Sequence, residues 1–172
     1  MFIFLVCTSV VQAKDLKIAV LNTEFVLENS VAIKDARVII QNISDKIEEE
    51  LTQKEIELKR KEFDLIQQHD FIPAQEYNKK ISDFNKEVSN TQKKMRGKKK
   101  SLEKSYTSVM QAVHKEIMNI VTALAADEGY DIILPNSQVI FSDNALDITE
   151  EIIQILNTSL KKVKIEYEHE PS

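Results

Sequence analysis

The chain is poor in the residues that build loops and reactive sites. Its 172 residues include two glycines, three prolines, one cysteine, three histidines and no tryptophan. Gly97 and Gly129 stand alone, so no glycine-rich loop is present to cradle a phosphate. A single cysteine, Cys7, rules out a disulfide within the chain. His69, His114 and His169 fall on a hairpin tip, a long helix and a tail, without HExxH spacing or a neighbouring thiol to suit zinc. His114 with Glu116 reads as a solvated helix face. Past the N-terminus no run approaches the roughly 20 apolar residues that a bilayer span requires. Carboxylates abound, as in Glu48-Glu49-Glu50, but acid–base catalysis needs them in a water-poor cleft that shifts their pKa. On a narrow pair of helices they are solvated flanks. We therefore expect no enzyme, no metal and no cofactor. The net charge of −5 gives no cause to expect nucleic acid.

What is present favours helix. Charged residues make up 30% and Lys, Glu, Ile and Gln are frequent, a composition suited to long helices. Residues 1–13, MFIFLVCTSVVQA, read as a signal segment: a short apolar run ending at a small-residue site before Lys14. Lys17-Ile18-Ala19-Val20-Leu21 is apolar on both faces, as in a covered strand. Asn22 or Thr23 caps a short helix through Leu27, and Asn29-Ser30 marks a turn. From Val31 the apolar residues step by three and four through Ile33, Ala36, Ile40, Ile43 and Ile47, the spacing of a coiled-coil seam. A stutter at Leu51 precedes Leu58 and Leu65.

His69-Asp70-Phe71-Ile72-Pro73 interrupts this run, since proline disfavours helix just before it and suits the first turn after it. A second run then carries Ile81, Val88, Met95, Leu102 and Val109 every seventh residue, joined by Tyr106, Val113 and Ile120. It predicts a helix over 74–126. Two long seamed helices joined by a short turn fold back as an antiparallel pair. Gly129 is the expected C-cap. Tyr130–Leu134 and Gln138–Phe141, joined by Pro135-Asn136-Ser137, read as a β-hairpin. Asp147 with Glu150 resembles a capping box for a last helix burying Ile148, Ile152, Ile155, Leu156, Leu160 and Val163. The tail from Glu166 is expected to be loose.

The expected fold class is mostly α with a small β body (α+β), an arm of two antiparallel helices on a strand-containing base. Residues 14–43 and 126–172 make the body, and 44–125 the arm, with its tip near 69–75. A body of this size buries little core by itself, which favours oligomerisation. Two surface features stand out. Lys93, Lys94, Arg96, Lys98, Lys99, Lys100 and Lys104 form a basic belt, which either pairs with the acidic first helix along Asp45–Glu57 or attracts anionic clients and lipid headgroups. No aromatics interleave it, so base stacking is unsupported. Phe63, Ile66, Phe71, Ile72, Tyr77 and Phe84 crowd the tip and exceed what a two-helix seam buries; they either cluster there or meet a partner. Gly97 lies within the belt as a candidate hinge.

The order of parts, with KIAVLNTEFVLENS at 17–30, GYDIIL at 129–134 and SDNALDITEEII at 142–153, resembles the Skp/OmpH family of periplasmic chaperones. The resemblance implies a homotrimer with intertwined strands and three tentacle-like arms. It also implies ATP-independent holding of unfolded outer-membrane β-barrel proteins between those arms, in the periplasm. Ile18, Val20, Ile132, Leu134, Val139 and Phe141 would then form the oligomer core, and the six tip residues would bind clients. The chain departs from the family's best-known, strongly basic members in its negative net charge. The rival expectation is a structural coiled-coil protein of the envelope without chaperone activity.

Overall fold

A computed structural model describes residues 15–167; the expected signal segment, 1–13, lies outside them. Strand β1, Ile18–Leu21, comes first, followed by helices α1, Thr23–Asn29, and α2, Val31–Gln68. The returning helix α3 is Ala74–Glu128. Strand β2, Ile132–Pro135, and helix α4, Thr149–Ser159, complete the element order. The α+β class and the long antiparallel helical hairpin are as the heptads require.

Local chemistry sets most of these boundaries. The Asn22 side chain caps α1 by accepting from the Phe25 N–H at 3.0 Å. Ser30 ends α1 and opens α2, its Oγ accepting from the Ile33 N–H at 3.2 Å. The neighbouring Val31 N–H donates to Asn157 Oδ1 at 2.8 Å, which ties the root of α2 to α4. No glycine or proline interrupts α2. Its partner α3 begins after Pro73 and runs 55 residues, about 80 Å at 1.5 Å per residue. Gly129 stops it with φ 72°, a left-handed conformation that glycine adopts without Cβ strain.

The sheet departs from the expected hairpin. Instead β1 and β2 pair in parallel, from Ile18 opposite Ile132 to Leu21 opposite Pro135. After β2, Asn136–Gln138 tightens into a 3-10 turn, and the Val139 N–H donates back to the Asn136 carbonyl at 3.1 Å. That turn redirects the chain, so Val139–Phe141 does not return beside β2, and no strand among the described residues covers the outer edge of β2. The far edge of β1 is met by the Val20–Asp147 bridge, with the Ile148 N–H donating to the Val20 carbonyl at 3.0 Å.

Parallel pairing needs a long crossover, and here the whole arm supplies it. Lys17 fastens the junction. Its backbone N–H donates to Asp131 Oδ2 at 3.1 Å, and its Nζ reaches the Glu128 carbonyl at 2.7 Å and sits 4.3 Å from the centre of the Tyr130 ring.

One apolar core lies beneath the sheet. Ala19 and Leu21 meet Val26, Ile33, Ile152 and Leu156, and α3 contributes from Leu124 back to Val109. Three details differ from expectation. Ser105, not Tyr106, holds the seam position on α3; Ser105 is buried whereas Tyr106 faces out, because Val109, Val113 and Ile117 repeat every fourth residue and project back to 105. No capping box opens α4: Asp147 Oδ1 accepts from the Thr149 N–H at 2.8 Å, and the N-cap, Ile148, has no side chain able to accept. Finally, α4 stops at Ser159, so Val163 lies beyond it. The chain then runs as an irregular strap in which Val163 and Ile165 rest on the core and the Glu166 carbonyl accepts from Ser105 Oγ at 2.6 Å. Through Tyr167 the tail is thus laid against the arm.

Candidate functional site

Two surfaces of the arm and one face of the body carry the side chains singled out in the sequence. Two packed helices bury one narrow stripe each, and here Leu51, Leu58, Leu65, Ile81 and Val88 are only half-buried in that stripe. Side chains off the stripe have no cover. Phe63, Ile66 and Phe71 are accordingly 60%, 62% and 85% exposed. The other three tip residues, Ile72, Tyr77 and Phe84, are half-buried, and Tyr77 meets the His69 ring edge-on at 4.8 Å. The six therefore divide into a half-buried set and an outward apolar set.

Polar contacts fix the distal arm. Lys61 Nζ joins the two helices, 2.5 Å from Glu87 Oε1 on α3 and 3.1 Å from Glu57 Oε1 on its own helix. Lys54 binds the other Glu57 oxygen at 2.6 Å. Hydrogen bonds from Lys54 and Lys61 hold the Glu57 carboxyl below its usual range. The hydrogen bonds that Lys61 donates to Glu87 and then to Glu57 hold its ammonium above its own.

The basic belt loses one member. Lys98 is 8% exposed and turns into the seam, where it pairs with Glu50 on α2. Its neighbours there include buried Met95, with Ile47 buried on the facing helix. Lys93, Arg96, Lys99, Lys100 and Lys104 remain exposed and Lys94 half-buried. Within this belt Gly97 lies in uninterrupted helix, and a Cβ there would meet nothing within 4 Å.

On the body, the parallel register places Ile18, Val20, Ile132 and Leu134 on the sheet face opposite Ala19, Leu21 and Ile133. Val20 is buried under the Asp147 bridge, while Ile132 and Leu134 are 41% and 38% exposed. Val139 and Phe141 are not brought into the sheet. Phe141 and its neighbour Ile140 stand in solvent. Sequence reasoning passed over Ile140, and over Phe25, which is also exposed and lines a hollow with Asn144 and Asp147. A lone apolar residue on a short helix gives no periodic signal of exposure.

Among the described residues, no group of three His, Cys, Asp or Glu side chains is placed to hold a metal ion. Nor is any described helix long and apolar enough to cross a membrane. The hollows are open grooves along helix faces. A long arm with outward apolar and basic side chains, rooted in a body made from both ends of the chain, defines an α+β protein built to present surface. The sequence profile of the family described as outer membrane protein (OmpH-like) matches residues 17–156, and the chain belongs to that family. No curated protein matches it in sequence. Among solved structures it is similar in fold to a Caulobacter crescentus CB15 protein assigned as an OmpH-like outer membrane chaperone. That similarity has a TM-score of 0.81 at 15% identity, covering 92% of this chain and 94% of the other.

Proposed function

We propose that this protein is an ATP-independent holdase of the periplasm, which keeps unfolded outer-membrane β-barrel proteins from aggregating in a cavity between the arms of a homotrimer. The observation that carries the reading is the exposed apolar set Phe63, Ile66 and Phe71 on the distal arm. The family membership and the chaperone assignment of the Caulobacter protein support it. An unfolded β-barrel strand alternates apolar and polar side chains, so it offers no single anchor. Dispersed apolar side chains on a long arm suit it, because each contact is shallow and the sum is releasable. The half-buried Ile72, Tyr77 and Phe84 would shape the tip and lend edge contacts. The exposed part of the belt would add weak attraction for anionic headgroups.

The test is light scattering during dilution of a denatured outer-membrane β-barrel protein, with and without the chain. The wild-type chain should suppress aggregation without nucleotide. Replacing Phe63, Ile66 and Phe71 together by Ser should weaken client binding at least tenfold, since each loses about 1–2 kcal/mol of apolar burial. Circular dichroism should stay unchanged, because none of the three is buried. Aggregation proceeding equally with wild-type chain present would overturn the holdase reading and leave a coiled-coil spacer of the envelope.

A further inference from the structure

Burial is uneven along the arm. At its root, Ile33 and Ala36 of α2 and Val109, Val113 and Ile117 of α3 are buried. Past buried Ser105 lies a smaller site, Ile47 on α2 with Met95 and Lys98 on α3, where Glu50 pairs with Lys98. From there out to the turn and back, residues 48–94 include no buried side chain. Polar contacts across this outer stretch lie in solvent. Lys61 reaches Glu87 at 2.5 Å, and Lys80 donates to Gln68 Oε1 at 2.8 Å. The two lysines and Glu87 keep 38% to 40% of their side-chain surface exposed.

The pairs Glu50–Lys98, Lys61–Glu87 and Gln68–Lys80 span 48, 26 and 12 positions, all centred on Ala74. A single register therefore runs from Glu50 to the turn. Closing this stretch gains little apolar burial, and a region with few buried contacts opens at a lower free-energy cost than the core that roots it. A lone helix of this length is marginal in water, so parting the two exposes their amides as well as the seam. Opening past Lys98 would in addition break a pair whose lysine is buried, which costs more than losing a contact already in solvent.

We infer that residues 51–94 open and close as one unit while the body stays shut, with the site of Ile47, Met95 and the Glu50–Lys98 pair as the clasp that bounds it. The open unit shows Leu51, Leu58, Leu65, Ile81 and Val88 to solvent. This is independent of whether the arm holds unfolded clients.

The experiment is hydrogen–deuterium exchange of the full chain, read peptide by peptide in a mass spectrometer at neutral pH. Peptides from 51–68 and from 74–94 should share one degree of protection, at least about tenfold below that of peptides from 109–124. Lys61→Gln should speed exchange in both outer peptides about twofold to fivefold, the worth of one exposed ion pair, and leave 109–124 unchanged. Glu50→Gln should carry the fast exchange inward through 95–104. Adding Lys98→Met, which removes the stranded charge, should return the boundary to its place. Equal protection in 74–94 and 109–124 would overturn the unit, and so would protection that falls smoothly toward the turn or differs between the two helices. A boundary unmoved by Glu50→Gln would overturn the clasp.

Discussion

Lys98 differs from every other lysine of the belt in being turned inward, and its partner Glu50 remains 36% exposed at the side chain. Losing the carboxylate charge would leave a buried ammonium without the Glu50 ion pair. We expect Glu50→Gln to cost about 1–2 kcal/mol, below the figure for a fully buried pair because solvent screens Glu50. Urea unfolding would measure it, and adding Lys98→Met should restore most of the loss. The Lys61 network behaves differently because its members are half in solvent. The Glu57 carboxyl has a depressed pKa, so its contribution is complete above the ordinary carboxylate value and fades as pH falls through the lower folded value. The Lys61 ammonium has a raised pKa, so its contribution is complete below the ordinary lysine value and fades only as pH rises through the higher one. The melting temperature of the arm should therefore be level from about pH 6 to about pH 9 and drop below about pH 4. Salt should blunt the drop, and a melting profile that falls through neutral pH would contradict the pairing.

At the scale of elements, α3 contains the weakest helix former of the arm at a place with space around it. A methyl group at Gly97 clashes with nothing, so Gly97→Ala should favour the helix by up to about 1 kcal/mol. If Gly97 is the hinge of the arm, spin-label distances between arm tips should also narrow, and an unchanged distribution would show that it is not. The arm was legible because a seven-residue repeat leaves its mark over many turns, and because Pro73 and Gly129 punctuate it. Tyr106 was misplaced since a heptad frame and a frame of four-residue steps diverge there by one residue, and the buried Val109, Val113 and Ile117 follow the four-residue steps. The strap carries no period, as its hold on the arm comes from a backbone carbonyl. Val139–Phe141 has strand composition without strand pairing, because composition records what a segment tolerates and says nothing of which edge receives it. The outward apolar set at the tip was half legible. Residue count showed a surplus, but which of the six remain uncovered depends on helix phase near the turn.

For the whole molecule, the open edge of β2 and the exposed Ile132, Leu134, Ile140 and Phe141 lie on one short stretch of chain. A trimer joined through the body would bury them, and Ile132→Asp would then place an unpaired charge in its centre at a cost of several kcal/mol. Light scattering should report monomers for this variant. A trimer of undiminished stability would move the contact elsewhere. In a single chain Ile132 is already 41% exposed, so helicity should survive the change. The parallel strand pair also has a consequence in time. Lys17 and Asp131, bonded across the sheet, are 114 positions apart. A chain delivered N-terminus first completes most of its arm from local contacts, which form early, while β1 still waits. The body closes only when residues as late as Ile148 arrive to take the Val20 carbonyl. A product cut short before that point has a finished arm and an open body, so the fold acts as a check on its own length.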